Sequence, residues 1–90
     1  MKIKVVYSKL GRESVWGYAH YADNTIELDE RLKGKKHMEI MMHEALHLLD
    51  KNASEKKVED ISIALTNLLW KAGYRRVDDS NTIPLQDGKK

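Results

Sequence analysis

The chain reads as a small α+β domain, with about three strands in an antiparallel or mixed sheet packed on two helices. Two patterns predict it. Residues 3–29 alternate apolar and polar residues in short β-branched runs, whereas residues 36–72 switch to apolar spacings of three and four. The size agrees: 90 residues at 41% hydrophobic content suffice for one modest core, so positions 1–90 are expected to form a single domain. Its core should span about residues 2–74, with a tail over 75–90. No internal repeat divides the chain.

Each element has its own signal. Ile3, Val5, Val6 and Tyr7 predict a first strand over residues 2–8, followed by a polar loop through Gly11 to Ser14. Val15 to Ala22, carrying Trp16, Tyr18 and Tyr21, predicts a second strand. Asp23-Asn24 is turn chemistry, and Thr25-Ile26-Glu27-Leu28-Asp29 alternates, so these two segments should form a hairpin. A helical turn over Glu30–Lys33 is expected to break at Gly34. The run Met38 to Leu49 leaves almost no polar face and predicts a helix from about Lys36 to Lys51, buried on most sides. Ser54 is a good N-cap for a second helix over Glu55–Lys71, and Gly73 is placed to end it. Val58, Ile61, Leu65, Leu68, Leu69 and Ala72 form its expected core stripe. Trp16 and Trp70 are expected in the core and His37 in solvent. Beyond residue 75, an ordered piece near Thr82–Leu85 and a frayed Asp87–Lys90 end are expected.

Composition excludes several classes. There is no Cys, hence no disulfide framework and no thiolate zinc finger. Sixteen basic residues against 14 acidic ones leave a net charge of +2, with the signs interspersed. That is an ordinary solvated surface, which argues against a nucleic-acid partner, and Lys33-Gly34-Lys35-Lys36 reads as an exposed turn. No run approaches membrane-spanning length and the N-terminal segment lacks a signal-peptide pattern, so the expected compartment is the cytoplasm. Oligomeric state is not legible.

The chemistry is concentrated in His43-Glu44-Ala45-Leu46-His47, an H-E-x-x-H pattern inside the apolar helix. Residues four apart on a helix lie about 40° from one another, so both imidazoles point one way. Two imidazoles so placed can hold one Zn²⁺, and Glu44 can reach a water on it as general base. A catalytic zinc needs a third protein ligand. No His follows His47, which leaves a carboxylate of the second helix or a residue from the strands. Glu59 is the leading candidate because it starts the line Glu59, Ile63, Thr66, Trp70 beside the core stripe. Glu55, one turn earlier, is the second choice; Asp60 should face solvent. His20, Tyr21 and Tyr74 are the side chains available as oxyanion donors or substrate contacts.

A strand pair, an H-E-x-x-H helix and a helix continuing Glu59-x-x-x-Ile63-Ala64 together resemble the compact gluzincin metallopeptidases. Over roughly Gly17 to Gly73 the chain is similar to the ImmA/IrrE group and to short phage- or prophage-encoded metallopeptidase-like proteins. The resemblance implies zinc on His43, His47 and Glu59, with Glu44 as general base. It implies a bacterial or phage origin and a peptide or protein substrate, held by edge pairing on Tyr18–Tyr21 or Ile26–Asp29. One feature departs from the larger members, which carry an Asp four residues after the Glu ligand to brace a zinc-bound His. Position 63 is Ile here, which leaves that bracing to Asp50 or a backbone carbonyl. The expected activity is zinc-dependent peptide hydrolysis. The alternative keeps the metal without turnover, as a zinc-stabilised binding module or phage accessory protein acting on a host partner.

Overall fold

The computed structural model describes residues 1–11 and 15–77. The expectations for Thr82–Leu85 and Asp87–Lys90 lie outside the described residues. Strand β3 (Thr25–Asp29) forms the middle of a three-stranded mixed sheet. It pairs in parallel with β1 (Lys4–Ser8) and antiparallel with β2 (Gly17–His20). The anticipated hairpin is therefore present. A short 3₁₀ turn over Tyr21–Asp23 links its strands and closes at Asn24, whose φ of 51° is a left-handed conformation that Asn tolerates.

Two helices follow, α1 (Gly34–Leu49) and α2 (Glu55–Lys71). Gly34 does not interrupt the chain but opens α1, with a φ of +59° that glycine adopts without steric cost. Helix α1 lies between the sheet and α2 and packs against both. Its contact with the sheet is close at Gly17. A Cβ there would come within 3.1 Å of Ile40 Cγ2 and of Leu28 Cδ2, and within 3.2 Å of the Glu27 carbonyl oxygen. Glycine at this point lets the H-E-x-x-H helix approach the sheet.

Ile26, Leu28, Leu32 and Leu48 form the core, with Ile3, Ala19, Ile40, Met41 and Ala45 packed against them. Burying each of the large aliphatic side chains contributes about 1.5–3 kcal/mol. A buried carboxylate holds the end of β3 to its surroundings. Asp29 Oδ2 accepts from the Leu10 backbone N–H at 3.1 Å, and Oδ1 accepts from the Arg31 backbone N–H at 2.8 Å. The Arg31 guanidinium completes the set at 2.9 and 3.0 Å. The hydrogen-bonded Arg31 side chain is the main reason the Asp29 carboxyl is held down to about 2.

Several expectations about burial change. In α2 the buried positions are Val58, Ser62 and Thr66, while Leu65, Leu68 and Ala72 are exposed. The helix has turned so that small polar side chains face inward; Ser62 Oγ donates to the Glu59 carbonyl at 3.0 Å. Helix α1 is mostly half-buried, with only His37 and Leu48 fully buried. Three stacked layers in so small a chain leave both helices wet along much of their length. His37, expected in solvent, is 4% exposed, with its Nε2 2.9 Å from the Tyr7 hydroxyl. Trp16 is 44% exposed and Trp70 half-buried, so neither is a core residue. Among the described residues no helix is long and apolar enough to cross a membrane.

Candidate metal centre

The turn between the helices, Asp50 to Ser54, sets the site. The Asp50 N–H donates to the Leu46 carbonyl at 2.9 Å and closes α1, and the Ala53 N–H donates to the Asp50 carbonyl at 3.1 Å. Ser54 then caps α2 as its pattern predicts, its Oγ accepting from the Lys57 N–H at 3.1 Å. Glu55 is thereby the first residue of α2, where an acidic side chain suits the positive end of the helix dipole. The tight turn delivers it to the last two turns of α1.

There Glu55 Oε1 lies 2.9 Å from His43 Nε2 and 3.2 Å from His47 Nε2. The two imidazoles, one helical turn apart, meet edge to face with ring centroids 4.9 Å apart. Among the described residues His43, His47 and Glu55 form a group whose ligand atoms all lie within 4.8 Å of one another. A tetrahedral zinc with nitrogen and oxygen ligands at about 2.0–2.2 Å sets its donor atoms roughly 3.3–3.5 Å apart. The two Glu55 contacts lie within a few tenths of an ångström of that. The two imidazole nitrogens, bounded at 4.8 Å, would have to close by up to roughly 1.5 Å, a movement side-chain rotation on one helix face can supply; the donor types suit zinc. The imidazoles are mostly covered, at 23% and 19% side-chain exposure, whereas Glu55 is 72% exposed on the solvent side.

Glu44 is half-buried beside this group. Burial pushes its carboxyl above the usual carboxylate range; His43 and His47 pull it back and Glu55 adds to the rise. It lines a cleft of about 290 Å³ together with Trp16, Gly17, Glu39, His43 and Glu59. That cleft runs beside the start of β2, which is an edge strand. Strand β3, by contrast, is paired on both sides, so edge pairing of a peptide on Ile26–Asp29 is ruled out by the sheet order.

The remaining sequence candidates fall as follows. Glu59 is exposed and shares the cleft with His43 and Glu44, but it stands outside the three-residue ligand group, where Glu55 takes the place expected for it. Glu55 and Glu59 are one turn apart, so helical phase alone does not separate them; the length of the interhelical turn does. Asp50 is drawn to Lys57 Nζ at 3.7 Å. Asp60 is exposed and pairs with Lys56 at 2.9 Å. His20 lies 2.8 Å from Glu27 Oε1, and Glu27 also accepts from the Ser8 hydroxyl. These two hydrogen bonds, Ser8 foremost, hold the Glu27 carboxyl below its usual range. Tyr21 lies beneath Lys51 Nζ at 5.8 Å, and Tyr74 belongs to a cavity with His37 and Met38. None of His20, Tyr21 and Tyr74 lines the cleft that holds Glu44. Trp16 and Glu39 do, although no spacing rule pointed to them; β2 brings Trp16 to the helix only through the sheet.

No protein-family model, curated protein or solved structure matches this chain.

Proposed function

We propose that the chain is a zinc-dependent peptidase of the compact gluzincin type, with His43, His47 and Glu55 as metal ligands and Glu44 as general base. The observation that carries this is the convergence of two imidazole nitrogens and one carboxylate oxygen within 4.8 Å, beside a carboxyl that burial has pushed up. Zinc bound there supplies a Lewis acid that acidifies water and polarises a peptide carbonyl. Glu44 accepts the proton of the attacking water and passes it to the leaving amine. Its partial burial makes it a better base than a solvated carboxylate and keeps it near the nitrogen that must be protonated. The edge strand β2 and the Trp16 side of the cleft receive an extended peptide, since β2 alone of the two expected strands leaves an edge to pair with.

The ligand set also supports the second reading, a zinc-stabilised binding module, because it joins α1 to α2 and so links metal to folding. Glu44 separates the two. On the peptidase reading, Glu44→Gln retains one zinc per chain and loses at least roughly a hundredfold in peptide cleavage. Equal cleavage by wild type and Glu44→Gln, or cleavage by neither across a peptide library despite full zinc loading, removes the peptidase reading.

A further inference from the structure

A second cavity, of about 270 Å³, opens on the other flank of α1. Its α1 residues, Gly34, His37, Met38 and Met41, lie about 150° round the helix from His43 and His47 at 100° per residue. The walls are otherwise aromatic and cationic: Tyr7, Trp70, Tyr74, Arg75 and Arg76. Among the described residues no carboxylate lines it.

Both arginines are held by their neighbours, and Glu30 shares only the adjoining cavity with them. The Arg75 guanidinium stacks on the Trp70 ring at 3.5 Å, and its Nη1 donates to the Trp70 and Tyr74 carbonyls at 2.9 and 2.8 Å. The Arg76 guanidinium lies over the Tyr7 ring at 4.8 Å. Among the described residues neither arginine is in an ion pair, and Arg76 makes no hydrogen bond. Stacking orients a guanidinium by its face and leaves its in-plane N–H groups for a planar oxyanion. His37 contributes a wall rather than a charge: its Nε2 is engaged by Tyr7, and its ring stacks on the Tyr7 ring at 5.9 Å between centroids. The volume lies just below the usual range of ligand sites, which start near 300 Å³ and are mostly apolar with a few convergent polar groups. One or two rings fit that space; a nucleotide does not.

We propose that this cavity binds a small aromatic acid, its ring among Met38, Met41 and Trp70 and its anionic group at the Arg75–Arg76 pair. The apolar floor supplies contact area, and the arginines select charge. Nothing in this site depends on metal, so it stands or falls separately from the peptidase reading.

The test uses the full chain and two dyes of two fused rings each, naphthalene-2-sulfonate and the uncharged naphthalene-2-sulfonamide. Dye emission gives affinity, and the indole N–H resonances of Trp70 and Trp16 report location. Expected is one saturable sulfonate site per chain that moves the Trp70 resonance and leaves Trp16 still, with the uncharged dye at least roughly tenfold weaker. Arg76→Gln should weaken the sulfonate by roughly tenfold or more at an unchanged melting temperature, and Arg76→Lys should restore part of it. Equal affinity for both dyes, an unaltered Kd in the Arg75→Gln/Arg76→Gln double variant, or a Trp16 response alone overturns the proposal.

Discussion

Removing the Glu55 carboxylate is the sharpest probe of the proposed metal centre, because Glu59, one turn along the same helix, serves as its control. Glu55 Oε1 is within 3.2 Å of both imidazole Nε2 atoms, whereas Glu59 is outside the ligand group. Glu55→Ala therefore takes away one of the three proposed protein ligands. Loss of an outer-shell partner costs about 10–100-fold in metal affinity, so the loss of a direct ligand is set at about 100-fold or more. At free zinc equal to 100 times the wild-type Kd, binding stabilises the fold by about 2.7 kcal/mol. With Kd raised about 100-fold, the same zinc gives only about 0.4 kcal/mol. The difference, about 2.3 kcal/mol, corresponds to roughly 9–18 °C in a domain of this size, at about 4–8 °C per kcal/mol. Paired melting curves with zinc and with chelator supply the assay, the chelated samples absorbing any metal-free effect of the substitution. Wild type and Glu59→Ala should show the zinc-dependent rise, and Glu55→Ala should lose nearly all of it. The opposite pattern, with Glu59→Ala losing the rise, would return Glu59 to the ligand position and show the interhelical turn to be misread. No rise in any of the three would remove the metal site.

Three further outcomes follow from the fold. Asp29 is held down to about 2, below the about 3.9 of an unfolded Asp, so its stabilisation is complete above about pH 4 and lost as pH falls toward 2. Asp29→Asn should lower the melting temperature at neutral pH and flatten that acid limb, as acid titration of the melting curve would reveal; an unchanged limb contradicts the assignment. Burial, with Arg76 secondary, pushes His37 below its ordinary value of 6.5. Because the unfolded chain takes up this proton first, stability should decline as pH drops below about 6.5, and His37→Gln should shrink that decline in urea titrations at pH 7 and pH 5.5. Gly17→Ala places a methyl 3.1 Å from Ile40 and Leu28 and should destabilise by about 1–3 kcal/mol, readable as a lower urea midpoint at constant m-value.

Local chemistry in the chain was enough to place most elements. The five-residue alternation of Thr25–Asp29, the Ser54 cap and the Gly73 stop each lie within a few residues of what they specify, and the structure has them there. The pairing of His43 with His47 is equally local, since one helical turn suffices to bring the rings together. Choices that depend on how elements turn toward one another were not available in that way. Ile61, Leu65 and Leu68 satisfy the apolar period of α2 as well as any stripe, yet the side facing α1 carries Val58, Ser62 and Thr66.

Periodicity names a face but not its neighbour, and the same limit decided which carboxylate meets the imidazoles. Glu55 and Glu59 share a phase to within one turn, and only the short Asp50–Ser54 connection brings the first residue of α2 against the end of α1. His37 was drawn into the interior by Tyr7, thirty positions away in sequence, a contact no local pattern contains. Helix, cap and motif are thus properties of neighbouring residues along the chain. The carboxylate that meets the imidazoles is a property of how the Asp50–Ser54 turn folds the start of α2 back on the end of α1, because that path is set in three dimensions and helical spacing does not contain it.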